Sequence, residues 1–278
     1  MPELPEVETI VRDLRPRVQG RVFTAPRLLH NDVLYHTTRA GLLRGLSGRR
    51  VVNLSRRAKH AVFLLDSGKR LIVQPGMSGA LLVYDHPLTA AERRYAVLTA
   101  GIGDGATFVF RDVRRLGTIL LLDEKQWQAY TARIGPEPLA DDFDTDAFAA
   151  ILSASGQAIK KVIMDQRKLA GVGNIYANEA LFQARIDPSL PSRRVTREQA
   201  RALHRAIRAI LARAIASQGT TFRDYRRGTG ERGSFQLRLH VYGREGKPCH
   251  RCGATLATTH AIDARSTTFC WRCQGVSR

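Results

Sequence analysis

The apolar positions of this chain change period along its length. Leu4, Val7, Val11 and Leu14 recur at helical spacing, which predicts a helix near the start with Pro16 as its end. From about residue 50 the repeat shortens. Segments 51–54, 60–65, 70–74, 80–83, 95–99, 106–110 and 118–122 read as short strands, separated by turn sequences such as Asp66-Ser67-Gly68 and Gly101-Ile102-Gly103-Asp104-Gly105. Many short strands at this spacing predict an antiparallel β-sandwich. Gly135-Pro136-Glu137-Pro138 and the acidic run from Asp141 to Asp146 read as a linker. Beyond it the pattern is helical. Thr196 and Gln199 have capping-box spacing, and Leu203, Ile207, Ile210, Leu211 and Ala214 form one apolar face that runs to Gly219. Arg201, Arg205 and Arg208 fall largely off that face and read as a solvated helix surface. There is no internal repeat and no low-complexity segment.

Charge adds a partner to this picture. The 278 residues carry 44 Lys and Arg against 25 Asp and Glu, a formal net charge of +19. Residues 1–150 hold 21 basic and 17 acidic side chains, and residues 151–278 hold 23 and 8, so the excess is +4 in the first part and +15 in the second. A general Arg bias would raise both parts alike. The imbalance points to a polyanion bound mainly through the second part. No run approaches the roughly 18 apolar residues of a membrane span, and the N-terminus lacks the basic and apolar regions of a signal peptide, so a soluble cytoplasmic protein is expected.

Three local patterns carry chemistry. The chain opens Met1-Pro2-Glu3-Leu4-Pro5-Glu6-Val7-Glu8. Removal of Met1 exposes Pro2 as a secondary amine beside carboxylates, a nucleophile whose adduct with an aldehyde-level carbon is a cationic iminium. The alternative is that Pro2 merely permits Met1 removal and Pro5 occupies the first turn of an ordinary helix. Cys249 and Cys252, then Cys270 and Cys273 after a 17-residue gap, form two C-x-x-C pairs. Two such knuckles supply the four thiolates of a closed structural zinc site, and no thioredoxin-like unit surrounds either pair. Arg265-Ser266-Thr267 lies between them, where a hairpin tip presents groups suited to phosphate oxygens. Gly171-Val172-Gly173-Asn174 opens a helix and offers backbone N–H groups to an anion. Two further segments are weaker. Arg56-Arg57-Ala58-Lys59 precedes a strand and alone reads as a solvated edge, and Met77 lies on a turn between Gly76 and Gly79, an odd place for an apolar side chain unless something buries it.

The opening octet, the Lys168 to Glu179 segment and the paired cysteines together resemble the bacterial formamidopyrimidine-DNA glycosylases, in the family that also contains endonuclease VIII. The matches run from residue 2 to residue 273 in the family's order. The resemblance implies an α+β multidomain protein: an N-terminal antiparallel β-sandwich with flanking helices (1–134), a linker (135–147), a helical domain with a helix-two-turn-helix (148–240) and a C-terminal zinc-finger β-hairpin (241–278). It implies a bifunctional base-excision-repair enzyme that removes oxidised purines from double-stranded DNA through a Schiff base with Pro2, then cuts the abasic site by β,δ-elimination. Glu3 becomes the acid that opens the sugar ring, with Glu6 either near the reaction or simply on the helix surface. Lys59 assists elimination and contacts phosphate. Arg265 is counted with the catalytic residues and also grips the backbone, as do Asn174 and Tyr242, with Lys160 as a supporting basic position. Met77 and Arg114 fill the hole left by the extruded base, with Arg115 beside them among the DNA-binding residues. Leu116 stands where the family usually has Phe, and Gln74-Pro75 replaces the usual His-Leu. The loop from Gly219 to Gly233 corresponds to the one that covers the flipped purine. One structural zinc ion, a monomeric state and a nucleoid-associated cytoplasmic location complete the expectation.

Three other readings stay open at this stage. An endonuclease VIII-like enzyme for oxidised pyrimidines shares Pro2, Glu3, Lys59 and the zinc, although Leu4, Val7 and Met77 favour the purine enzyme. A non-catalytic zinc-containing DNA-binding protein and an RNA-binding role are the others.

Overall fold

The computed structural model describes residues 2–219 and 235–276. The chain divides into two compact units, residues 1–133 with 217–236, and residues 134–216 with 237–278.

Unit 1 begins with helix α1 (Leu4–Val18), followed by strand β1 (Phe23–Leu28), helix α2 (Arg39–Leu46), strands β2 (Val51–Arg57), β3 (His60–Leu65), β4 (Arg70–Gln74) and β5 (Gly79–Tyr84), the short helix α3 (Ala90–Arg93), strands β6 (Ala96–Ile102), β7 (Ala106–Asp112) and β8 (Thr118–Leu122), and helix α4 (Glu124–Thr131). The strands form two antiparallel four-stranded sheets, ordered β1-β6-β7-β5 and β2-β3-β4-β8. Phe23 and Phe108 of the first sheet meet Phe63 of the second, with ring centroids 6.3 Å (Phe23 to Phe63) and 5.6 Å (Phe63 to Phe108) apart. That aromatic contact lies in the core between the sheets, which the apolar faces of α1 and α2 extend through Ile10, Val11, Leu14, Leu42 and Leu46. The sandwich therefore agrees with the pattern of alternating apolar positions.

Two local details differ from expectation. Helix α1 passes through Pro16 to Val18. Proline removes one hydrogen bond, but this one falls in the last turn, where Val18 is fully buried and the N–H of Gln19 still reaches the carbonyl of Arg15 at 3.0 Å. Strand β1 was not anticipated because Pro26 and a register shift between Thr24 and Arg27 break its alternation. An edge strand tolerates both.

Unit 2 contains helices α5 (Thr145–Ser153), α6 (Ile159–Met164), α7 (Asn174–Ala184) and α8 (Arg197–Ala216), then the two-stranded hairpin of β9 (Ala257–Thr259) and β10 (Thr267–Phe269) and the short helix α9 (Trp271–Gln274). Thr196 and Gln199 make the expected reciprocal capping bonds before α8, at 3.0 and 3.2 Å. The apolar face of α8 is buried from Leu203 to Ala214. Arg208 departs from the solvated-surface reading, since its Nη1 donates to the carbonyls of Pro138 (2.9 Å) and Ala140 (2.7 Å). Arg201 and Arg205 are exposed as expected. Among the described residues, no helix is long and apolar enough to cross a membrane.

Candidate functional site

In unit 1 the first chemistry stands at the N-terminus of α1. Pro2 is buried, and Glu3 is the N-cap residue, with φ −103° and ψ −170°. Glu3 and Glu6 form a capping box in which the Glu3 backbone N–H donates to Glu6 Oε2 at 2.8 Å. Both carboxylates are buried. The helix-surface reading of Glu6 is thereby corrected: the side chain is 1% exposed. Gly219 packs directly on it, and a β-carbon at that position would lie 3.2 Å from Glu6 Cγ, at a φ of +79° that disfavours any side chain. Leu4, Val7, Ile10 and Val11 bury the other side of the helix completely and anchor this terminus.

Lys59 sits in the two-residue turn between β2 and β3, where Arg57 pairs with His60. It is 5% exposed, so the solvated-edge reading does not hold. The turn is braced from both sides. Arg56 Nη1 donates to the Ala58 carbonyl at 3.0 Å, while Arg56 Nε donates at 3.0 Å to Glu8 Oε2 on α1. Burial would raise the pKa of Glu8, but hydrogen bonds and charge from Arg12 and Arg56 outweigh it and hold the carboxyl below its usual range. On the far side His60 bonds the Arg57 carbonyl through Nδ1 (3.0 Å) and the Tyr130 hydroxyl through Nε2 (2.9 Å). Thus the helix that carries Pro2 and Glu3 also fixes the turn that carries Lys59.

Met77 and Leu116 are exposed at 42% and 56%, on turns whose backbones touch: a β-carbon on Gly76 would come within 2.6 Å of the Leu116 carbonyl carbon. Arg115 Nε lies 3.0 Å from Asp32 Oδ2 and its Nη1 3.2 Å from His30 Nδ1, so this guanidinium is engaged within unit 1.

In unit 2, Gly171 and Gly173 precede α7 as the sequence predicts, with Gly171 at φ +79°. Gln166, which sequence reasoning missed, shapes this turn by accepting from the Gly171 N–H (2.8 Å) and donating to the Val172 carbonyl (2.7 Å). Asn174 Nδ2 donates to the Ser266 carbonyl at 3.1 Å. Lys160 converges on the same segment. Its side chain is fully buried, with Nζ 2.7 Å from Thr267 Oγ1, 3.3 Å from the Ser266 carbonyl and 3.5 Å from Asp263 Oδ1. Lys160 thus supports the segment that carries Arg265, whose own side chain is exposed. Tyr242 is held through its backbone by Glu179, a second residue the sequence did not reveal.

The comparisons agree with this geometry. Residues 1–119 match the family model "Formamidopyrimidine-DNA glycosylase N-terminal domain", residues 134–226 the "Formamidopyrimidine-DNA glycosylase H2TH domain", and residues 246–276 the "Zinc finger found in FPG and IleRS". The formamidopyrimidine-DNA glycosylase of Chloroflexus aurantiacus is 42% identical over 274 residues, covering 99% of this chain and 98% of that protein. The Lactococcus lactis enzyme has been solved with DNA containing an abasic site, at TM-score 0.89 and 32% identity, covering 98% of this chain and 99% of that one. A mutant of it with Fapy-dG-containing DNA gives TM-score 0.89 and 33% identity over the same shares.

This chain belongs to the formamidopyrimidine-DNA glycosylase family. It is accordingly a base-excision-repair enzyme with glycosylase and abasic-site lyase activities. The family's zinc finger explains the cysteine cluster. The four sulfurs lie within 4.8 Å of one another, with Cys249 to Cys273 at 3.9 Å and Cys252 to Cys270 at 3.5 Å. A tetrahedral zinc with Zn–S bonds of about 2.3 Å requires sulfurs about 3.8 Å apart, whereas a disulfide requires about 2 Å. The four cysteines fit one structural zinc, which supplies folding free energy to the β9–β10 hairpin. Phe182, Val241 and Leu256 pack around the cluster. The lesion-covering loop expected over 219–233 lies outside the described residues apart from Gly219, as does Met1.

Proposed function

We propose that this glycosylase removes oxidised purines, 8-oxoguanine and formamidopyrimidines, from duplex DNA with Pro2 as nucleophile and Glu3 as acid. The observation that carries the reading is the terminus of α1, where Pro2 adjoins a buried Glu3 whose backbone is capped by Glu6. After Met1 is removed, the neutral Pro2 nitrogen attacks C1′ of the damaged nucleotide and the base leaves with the electrons of the glycosidic bond. The nitrogen passes its proton to the departed base and then expels the ring oxygen, which Glu3 protonates, and the sugar opens as an iminium. This cation draws electrons from C2′ and acidifies its proton. Loss of that proton expels the 3′-phosphate, and a second elimination expels the 5′-phosphate. Lys59 and Arg265 assist these departures.

The remaining assignments concern the grip on DNA. Asn174, Tyr242, Lys59 and Arg265 bind phosphates, and Met77, Arg114 and Leu116 occupy the gap left by the extruded nucleotide. The basic excess of residues 151–278 supports the same partner. The chain works as a monomer on cytoplasmic, nucleoid DNA, since nucleophile, acid and zinc module all belong to one chain. Borohydride trapping on a duplex with one 8-oxoguanine opposite cytosine tests the reading. Covalent capture by the wild-type protein, strongly reduced in Pro2→Gly, whose terminal amine is primary, and in Glu3→Gln, is the expected result. Capture only on oxidised-pyrimidine duplexes would move the substrate class, and no capture on either would refute the amine mechanism.

A further inference from the structure

The two turns that carry the exposed wedge side chains share one buried carboxylate. Asp112 ends β7 opposite Gly79 of β5 and is 2% exposed. Its Oδ1 accepts the Ser78 hydroxyl at 2.5 Å and the Arg114 N–H at 3.2 Å, and its Oδ2 accepts the Gly117 N–H at 2.8 Å. Ser78 Oγ in turn accepts the Arg114 N–H at 2.9 Å. Ser78 follows Met77 directly, and Arg114 to Gly117 brackets Leu116. The glycines add contact without side chains. A β-carbon on Gly76 would lie 2.6 Å from Gly117 N, and one on Gly117 would lie 2.7 Å from the Gln74 carbonyl, so the two backbones are already at closest approach.

We propose that Asp112, through Ser78, is a positioning residue that locks the Met77 turn and the Arg114–Leu116 turn into one rigid wedge for base eviction. The proposal rests on the assignment of Met77, Arg114 and Leu116 to the gap in the duplex. Evicting a stacked base pushes back on whatever enters, and two independently mobile turns would yield. A buried carboxylate that accepts the Ser78 hydroxyl from one turn and the Gly117 N–H from the other resists that, because parting either bond leaves a buried oxygen or N–H unpaired away from water. Leu116 makes the brace more consequential here. A leucine is held in the stack by position alone, without the ring stacking that an aromatic side chain supplies.

The demand for a wedge differs between two substrates of the same enzyme. Excision of 8-oxoguanine requires a base to be pushed out, whereas a duplex with a pre-formed abasic site has no base to evict but still requires Pro2, Glu3 and Lys59. Single-turnover rates on both duplexes are compared for wild type, Asp112→Asn, Ser78→Ala and Met77→Ala, with the thermal midpoint of each. In Asp112→Asn the amide nitrogen faces an N–H or hydroxyl donor and one side of the brace opens. Excision is expected to fall about ten-fold or more in Asp112→Asn and less in Ser78→Ala, with abasic-site cleavage reduced no more than about three-fold. A parallel fall of both rates that tracks the thermal midpoint overturns the proposal and makes Asp112 a general fold residue. Ser78→Ala, which removes only a hydroxyl, decides the matter if Asp112→Asn does not fold. Selective loss in Met77→Ala with none in the two brace variants overturns the brace while the wedge stands; no loss in Met77→Ala removes the wedge and the brace with it.

Discussion

Glu179 holds Tyr242 through its backbone: Glu179 Oε1 accepts the N–H of Tyr242 at 2.9 Å and that of Val241 at 2.8 Å, while Oε2 accepts that of His240 at 2.9 Å. The carboxylate is 3% exposed and belongs to α7, the helix that begins with Asn174. Two proposed phosphate contacts thus sit on one rigid element and its strap. Glu179→Gln replaces one acceptor oxygen by a donor and leaves an N–H facing it. The expected cost is about 1–3 kcal/mol of stability, the penalty for an unsatisfied buried donor. Thermal unfolding reads the stability, and titration of an abasic-analogue duplex reads the grip, which weakens as Tyr242 loses its fixed backbone. An unchanged midpoint with unchanged affinity would show that the strap is held by packing instead.

The zinc site gives a second outcome. Structural zinc contributes on the order of 10 kcal/mol of folding free energy, far more than the three-residue strands β9 and β10 can supply. Chelation, or Cys270→Ser, is expected to release the hairpin, and with it the bond between Lys160 and Thr267. Metal analysis should find one zinc per chain in the native protein. Amide exchange at 257–259 and 267–269 should become fast after chelation, and DNA affinity should collapse together with part of its salt dependence. Slow exchange in metal-free protein would show that packing on Phe182 and Val241 suffices.

Legibility followed sequence separation. Strands β3, β4 and β8 were readable to the residue because apolar runs end at turn-forming sequences, and the cysteine pairs were readable because each knuckle is local. Strand β1 was hidden by Pro26 and by Ala25 at φ +43°, which break the period without abolishing the pairing. The braces were hidden for a different reason. Asp112 meets Ser78 across 34 residues, Arg56 meets Glu8 across 48 and Tyr242 meets Glu179 across 63, and no periodicity encodes such pairings. Lys160 and Arg115 show the converse. Their charge was plain in the sequence, but the partners that use it, on the hairpin and in the Asp32 loop, appear only in the fold.

Glu6 can be separated from Glu3 by one pair of variants. Glu6→Gln keeps a carbonyl oxygen that can accept the Glu3 N–H, whereas Glu6→Ala removes the acceptor. Loss of such a cap costs about 1 kcal/mol, so Glu6→Ala is expected to lower the thermal midpoint and Glu6→Gln to lower it less. If Glu6 acts only as a cap, the rate of borohydride trapping follows the same order. A Glu6→Gln variant that is stable yet traps as slowly as Glu6→Ala would show that the charge itself serves the Pro2 amine.

Acid sensitivity is expected to begin at His204. The ring is 7% exposed on α8, with Nε2 3.1 Å from the Phe143 carbonyl, Nδ1 3.3 Å from Thr145 Oγ1, and Phe143 and Phe148 against its faces. The carbonyl requires Nε2 to carry a proton, and in the neutral ring Nδ1 accepts from the Thr145 hydroxyl. Burial is the main cause that pushes its pKa below the ordinary 6.5, with Arg208 adding repulsion; the Phe143 carbonyl and Asp144 oppose the shift without reversing it. A histidine held neutral in the fold binds fewer protons than the unfolded chain. Its stabilising contribution is therefore complete above about pH 6.5 and is lost as the pH falls toward the depressed value. The thermal midpoint of unit 2 should decline from about pH 6.5 downward, before the carboxylates protonate. His204→Gln should lower the midpoint at neutral pH and flatten that slope. It should not remove the slope entirely, because burial shifts His240 in the same direction. A wild-type midpoint constant between about pH 6.5 and pH 5 would mean that His204 takes its second proton at Nδ1 at no cost, the Thr145 hydroxyl turning from donor to acceptor.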